Sequence, residues 1–355
     1  MPDDSSQNDL ESGGGKPAPT QQQRRTPRLI AILAGVSALA ALVLFIAHSG
    51  DITAFARQAA NAKAGPLAGA VAVQSLPYIL AAYVWLLFLR RMGTAPKLAS
   101  LIPLSFAKLF ADQALPSGGI SGAAFFLFAL TRRGVPDKTA FRTFVFATSA
   151  YFLAFLIAAI ISLIALSTAE KAPPALSASV SAFAGLFLLL TLIAGLVVLY
   201  KPETAPAFVR KRRLTAKAAE FAGAAIHDIR TMPSLFMRMT IILIAVRAVD
   251  GFTLMLISEA IGAPISFSTG FIAVAIASIA ATIGPVPMGL GTFEAGMIAS
   301  LSVFGASVED ALTITLIYRG LTLWLPLLPG FLIIQREFLH RPAALSVKGT
   351  DADQS

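Results

Sequence analysis

Uncharged apolar runs dominate the chain, and polar residues gather between them. The runs lie at Leu29–Ala47 and at about 66–89, 139–168, 176–200, 235–262 and 311–334. Each reaches the roughly 20 residues that a helix needs to cross a bilayer. Two further stretches, about 98–131 and 267–304, are each broken near the middle by Pro and Gly. The first break reads Leu115-Pro116-Ser117-Gly118-Gly119, the second Gly284-Pro285-Val286-Pro287-Met288-Gly289-Leu290-Gly291. Both stretches are too long for one straight span and too short for two. They are predicted to be helical hairpins.

Basic residues orient these elements, because Lys and Arg concentrate on the cytoplasmic side. Arg24, Arg25 and Arg28 place the N-terminus inside, and Arg90, Arg91 and Lys97 return there after the second run. Arg132, Arg133 and Lys138 follow the first broken stretch, so that stretch enters and leaves from the cytoplasm. The loop 201–234 is cytoplasmic, with Lys201, Arg210, Lys211, Arg212, Arg213, Lys217 and Arg230. The second broken stretch has only Glu309 and Asp310 at its end and enters from outside, and Arg336 and Arg341 bring the C-terminus back inside. The expected fold is all-α, with six transmembrane helices and two oppositely oriented re-entrant hairpins. Residues 1–28 are expected to form a disordered cytoplasmic tail, 29–334 the membrane domain and 335–355 a second cytoplasmic tail.

The hairpins are related by an offset of 171 residues. Pro116 maps to Pro287, Gly118 to Gly289, Ala124 to Ala295, Gly134 to Gly305 and Ala140 to Ala311. With the opposite orientations, this predicts an inverted repeat of halves at about 98–200 and 267–334. Paired interrupted segments of this kind point to a transporter's site, because broken helices expose backbone groups that hydrocarbon cannot satisfy. Close helix packing by small residues is the other reading of the same Pro and Gly.

Composition narrows the function. Apolar residues make up 56% of the 355 and charged residues 13%, about half the usual share, with mean hydropathy +0.75. Cysteine is absent and only three histidines occur. No nucleophile set, metal cluster or nucleotide loop is present, so neither enzyme chemistry nor a metal or cofactor is expected. Net charge is +9, but the basic residues flank apolar runs, which fits anionic phospholipids and not nucleic acid.

Ionisable residues inside apolar runs mark candidate sites. Arg247 and Asp250 lie one turn apart in the run 235–262, spaced for either a self-neutralising ion pair or a headgroup contact. Glu294 follows the second break, and Tyr318 and Arg319 lie in the last run, so a Glu294–Arg319 pair is expected. Lys108, Asp112 and Gln113 precede the first break. Lys108 is able to snorkel, whereas Asp112 is too deep to do so.

The segment Pro285-Val286-Pro287-Met288-Gly289-Leu290-Gly291-Thr292-Phe293-Glu294, then Gly305, Ala311 and Tyr318-Arg319, resembles the C-terminal signature of the lysylphosphatidylglycerol synthase transmembrane (flippase-like) family. Asp112-Gln113-x-x-Pro116-Ser117-Gly118-Gly119 resembles its N-terminal hairpin. The chain departs from that family at Ala123, Ala124 and Phe125, where a Glu and an Arg are usual, and at Ala147 and Thr148, where an acid–Arg pair is usual. The resemblance implies a bacterial inner-membrane protein that moves phospholipid-like molecules between leaflets, without the soluble aminoacyl transferase domain of bifunctional relatives. A scaffold docking an envelope-lipid enzyme on the 201–234 loop, or a membrane-embedded transferase, are the alternative readings. A second copy of the chain or such an enzyme is the expected protein partner.

Overall fold

A computed structural model describes residues 61–94, 96–114, 119–167, 227–283 and 287–339, with a few isolated positions between 178 and 224. The predicted N-terminal tail, the run 29–47, most of the run 176–200, the basic loop up to 222 and the C-terminal tail past Leu339 lie outside these residues. So do the break residues Pro116, Gly118 and Pro285.

All the described elements are helices: α1 (Ala64–Val73), α2 (Leu76–Arg91), α3 (Leu98–Ala114), α4 (Ile120–Thr131), α5 (Asp137–Ser167), α6 (Pro233–Ile261), α7 (Phe267–Ile283), α8 (Thr292–Val303), α9 (Val308–Arg319) and α10 (Leu325–Leu339). A 3₁₀ turn at Pro287–Gly289 precedes α8, and a π-helical turn at Gly320–Trp324 joins α9 to α10. Four helical segments are long and apolar enough to cross a membrane: Ala64–Arg91, Asp137–Ser167, Pro233–Ile261 and Val308–Glu337. Their outer faces carry exposed Phe152, Ile160, Ile161 and Ile164 on α5, Met237 and Ile241 on α6, and Leu328, Phe331 and Leu332 on α10. A contiguous apolar surface of this kind is stable against lipid and not against water.

Both broken stretches form packed helix pairs. In each the first helix has 17 residues and the second 12, and at about 1.5 Å per residue neither spans a hydrocarbon core of about 30 Å. Small residues let the pairs close. A Cβ on Gly296 of α8 would crowd Ala277 and Ala280 of α7, and one on Gly122 of α4 would overlap the Asp112 carboxylate of α3. The same turn ends both pairs. Gly134 (φ 79°) and Gly305 (φ 98°) take the left-handed conformation, and Val135 and Ala306 then donate their N–H groups to Leu130 O and Leu301 O. Glycine meets that φ without the Cβ penalty.

Two of the long apolar runs are less regular than their hydropathy suggests. The run 66–89 divides at Gln74–Ser75, because Pro77 at the start of α2 has no N–H and its ring crowds the carbonyl four residues back. The last run carries the π turn and an internal Pro329.

The buried residues fall into two main cores. One joins α2, α3, α4, α5 and the first half of α6, including Phe88, Phe126, Phe146 and Met239. The other joins α1, the second half of α6, α7, α8 and α9, including Leu254, Ile257, Met297 and Ile314. Three of the four long segments pass from one core to the other, and each is irregular or charged where it crosses. The α1–α2 segment breaks at Gln74, α6 carries Arg247 and Asp250, and the last segment carries Arg319 and the π turn.

Candidate functional site

The charged residues of that seam differ in how fully they are bound. Arg319, on the last turn of α9, is 7% exposed. Its Nε donates to Glu294 Oε1 at 2.6 Å and its Nη2 to the carbonyl of Met288 at 3.0 Å. The guanidinium also lies 4.7 Å from the centre of the Phe293 ring, a cation–π contact. Glu294 completes the arrangement, with its Oε2 accepting from Gly291 N–H at 2.6 Å. Arg319 and Glu294 are thus paired as the sequence leads one to expect, and each oxygen of the carboxylate accepts one hydrogen bond. Met288 is held at φ 64°, a conformation that costs a non-glycine residue about 1–2 kcal/mol. The Arg319 hydrogen bond to its carbonyl offsets part of that cost.

Arg247 is bound far more loosely. Its Nη2 lies 3.2 Å from Asp250 Oδ2, and the guanidinium stands 5.9 Å from the Tyr151 ring centre. The rest of the guanidinium fork has no partner of its own among the described residues, and the side chain is 19% exposed. Asp250 is nearly buried and accepts from Gln74 Nε2 through its other oxygen, at 3.3 Å. Tyr318 is 3% exposed and parallel to Phe293, with ring centres 6.1 Å apart. It lies within electrostatic reach of Asp250, Arg247, Tyr78 and Arg319. Tyr78 in turn stacks on Phe106 of α3, with ring centres 4.0 Å apart. The first hairpin therefore reaches the seam through Phe106 and Tyr78, and the second through Glu294 and Phe293.

The remaining candidates lie at the first hairpin. Lys108 does not extend away alone; its Nζ lies 2.6 Å from Asp112 Oδ2. Gln113 is half-buried beside them. Asp112 Oδ1 is buried and without a partner, against the space where a Gly122 side chain would be. Gly119 and Gly291 begin α4 and α8 at φ 87° and 80°. The 171-residue offset sets Ala123 against Glu294, so the first hairpin lacks an acid at that position in sequence, and the Asp112 carboxylate of the partner helix lies against the neighbouring Gly122. Of the break residues, Gly119, Pro287, Gly289 and Gly291 are described. Gly289 packs on Ala281, where a Cβ would not fit.

Gln74, Tyr78 and Tyr151 belong to this cluster but are not among the residues that sequence reasoning selects. One signal was available: Gln74 is the only amide in the run 66–89, three residues before Pro77. Two further pairs predicted by neither motif nor spacing also appear. Arg142 forms a two-pronged pair with the buried Asp228, and Arg132 and Arg133 both bind Glu337, through its carbonyl and carboxylate. Among the described residues no three His, Asp or Glu side chains gather as a metal-binding set. At the seam Arg247 presents a cation beside the polar groups of Asp250, Gln74 and the tyrosines.

The model of the family described as "Lysylphosphatidylglycerol synthase TM region" matches residues 30–330. No curated protein matches the chain.

Proposed function

The chain belongs to the lysylphosphatidylglycerol synthase transmembrane family, and from that membership together with the seam's geometry we propose that it passes phospholipid-like molecules between bilayer leaflets without chemistry of its own. The observation that carries this reading is the contrast between the two buried arginines. Arg319 is tied by hydrogen bonds to Glu294 and to the Met288 carbonyl, whereas Arg247 meets only one carboxylate oxygen, at 3.2 Å. A phosphate stripped of water needs a counter-charge and donors at depth. Arginine supplies both, gripping two phosphate oxygens at once. Asp250 holds Arg247 in the empty site and yields it to phosphate.

The proposed topology is six spans and two re-entrant hairpins of opposite orientation, in a bacterial inner membrane with both termini cytoplasmic. The runs 29–47 and 176–200 supply the two spans beyond the four described. The inverted repeat is supported by matched helix lengths of 17 and 12 residues, by the shared glycine turn and by the 171-residue offset. Anionic phospholipids are the proposed partners, drawn by the basic cytoplasmic flanks.

Purified protein in liposomes tests the reading. A fluorescent phospholipid in the inner leaflet becomes accessible to a membrane-impermeant quencher at a rate above that of protein-free vesicles if the proposal holds. A rate equal to that of protein-free vesicles rejects it, and favours a scaffold for an envelope-lipid enzyme.

A further inference from the structure

Gln74 is 6% exposed at the break between α1 and α2. A carboxylate only accepts hydrogen bonds, so the amide nitrogen must be the atom that faces Asp250 Oδ1, and the amide oxygen must point elsewhere. That oxygen is buried and has no donor among the described residues. An unpaired buried acceptor is a standing cost that a Leu or Met at the same place would avoid. The break itself does not need the side chain. Gln74 N–H already bonds Ala70 O at 2.9 Å, and the Ser75 hydroxyl takes the Ala72 carbonyl at 2.6 Å.

Asp250 links this orphaned acceptor to the open arginine, with Oδ2 toward Arg247 and Oδ1 toward Gln74. A buried acceptor and a guanidinium are thus held on the two oxygens of one carboxylate. Tyr78, one helical turn beyond Gln74, lies within electrostatic reach of the same Asp250. Building on the lipid-handling reading, we infer that Gln74 is the specificity-determining acceptor of the site: it binds an O–H or N–H on the headgroup whose phosphate Arg247 holds. The substrate class is then a phospholipid whose headgroup carries a hydrogen-bond donor a few bonds from phosphorus. A donor-free headgroup leaves Gln74 Oε1 unpaired in the complex as it is in the empty site.

Binding of lipids to the purified full-length chain in micelles tests this, using two charge-matched pairs with identical acyl chains. Phosphatidylethanolamine has an ammonium donor and phosphatidylcholine has none; phosphatidylglycerol has hydroxyl donors and phosphatidylmethanol has none. The wild type is expected to prefer the donor-bearing member of at least one pair by about tenfold, the scale of one buried hydrogen bond. The preferred pair identifies the donor as ammonium or hydroxyl. Gln74→Met should erase the preference by lowering affinity for the donor-bearing lipid alone. Equal affinities within both pairs in the wild type overturn the inference, as does a preference that survives in Gln74→Met. The wild-type comparison needs no variant, so it decides even if Gln74→Met fails to fold. Arg247→Ala separates this failure from that of the underlying reading. It should weaken all four lipids alike, and undiminished binding of all four contradicts the lipid-handling role itself.

Discussion

Glu294 accepts from Arg319 at 2.6 Å and from Gly291 N–H at 2.6 Å while nearly buried, so its charge is needed on two sides. Glu294→Gln leaves Arg319 without a counter-ion, and thermal stability should fall by an amount equivalent to about 3–5 kcal/mol. Arg319→Gln in the same chain should restore part of that loss, whereas additive losses in the double variant would exclude the pairing as the cause. Gly122 offers a second test at this scale. Gly122→Ala drives a methyl into the Asp112 carboxylate and should cost about 1–3 kcal/mol, the usual range for overpacking. The loss should shrink in a chain that also carries Asp112→Ala; an unchanged loss would mean that Asp112 is not what fills the space. The candidate residues were legible because ionisable side chains in an apolar run are rare. What could not be read was their relative engagement. Arg247 and Arg319 look alike in the chain, and only the three-dimensional arrangement gives Arg319 two hydrogen bonds and Arg247 a single contact at 3.2 Å. Asp112 was visible as a deep acid, but its stand-in for a side chain at Gly122 depends on two helices closing to contact, which no local pattern encodes.

The elements were more legible than the site. Runs of about 20 apolar residues, and Pro-Gly breaks inside two others, mark the spans and hairpins because both signals are local. The breaks at Gln74–Ser75 and Gly320–Trp324 were not read from hydropathy, which stays high through both. Pro77 was the available sign of the first. Pro326, two residues past the π turn and without an N–H for the Thr322 carbonyl, was the comparable sign of the second. Hairpin orientation is testable with single cysteines, the chain having none of its own. A cysteine at Ser307 should react with an impermeant thiol reagent from outside, and one at Lys138 from the cytoplasmic side. Labelling of Ser307 from the cytoplasm alone would contradict the opposite orientation of the two hairpins. The clamp between Arg133 and Glu337, at 2.5 Å, predicts that cysteines at these two positions are joined by a bifunctional thiol reagent long enough to replace the two side chains. Absence of that cross-link would place those ends apart.

Across the whole molecule, two cores meet along a seam where three long segments change character, and both hairpins send an aromatic residue toward it. Hydrophobic packing makes each core rigid, and the seam gathers the polar groups that hydrocarbon would not tolerate elsewhere. On the proposed function a headgroup passes between leaflets along this seam and meets Arg247 there. The most direct test of this account is lipid translocation in liposomes by the Arg247 series. Arg247→Lys keeps the charge but loses the two-pronged fork, and should slow transport while leaving thermal stability near wild type. Arg247→Ala, reconstituted in equal amount and folded by the same criterion, should reduce the rate to that of protein-free vesicles; a folded alanine variant that moves lipid at the wild-type rate would reduce Arg247 to half of a structural ion pair and contradict the account.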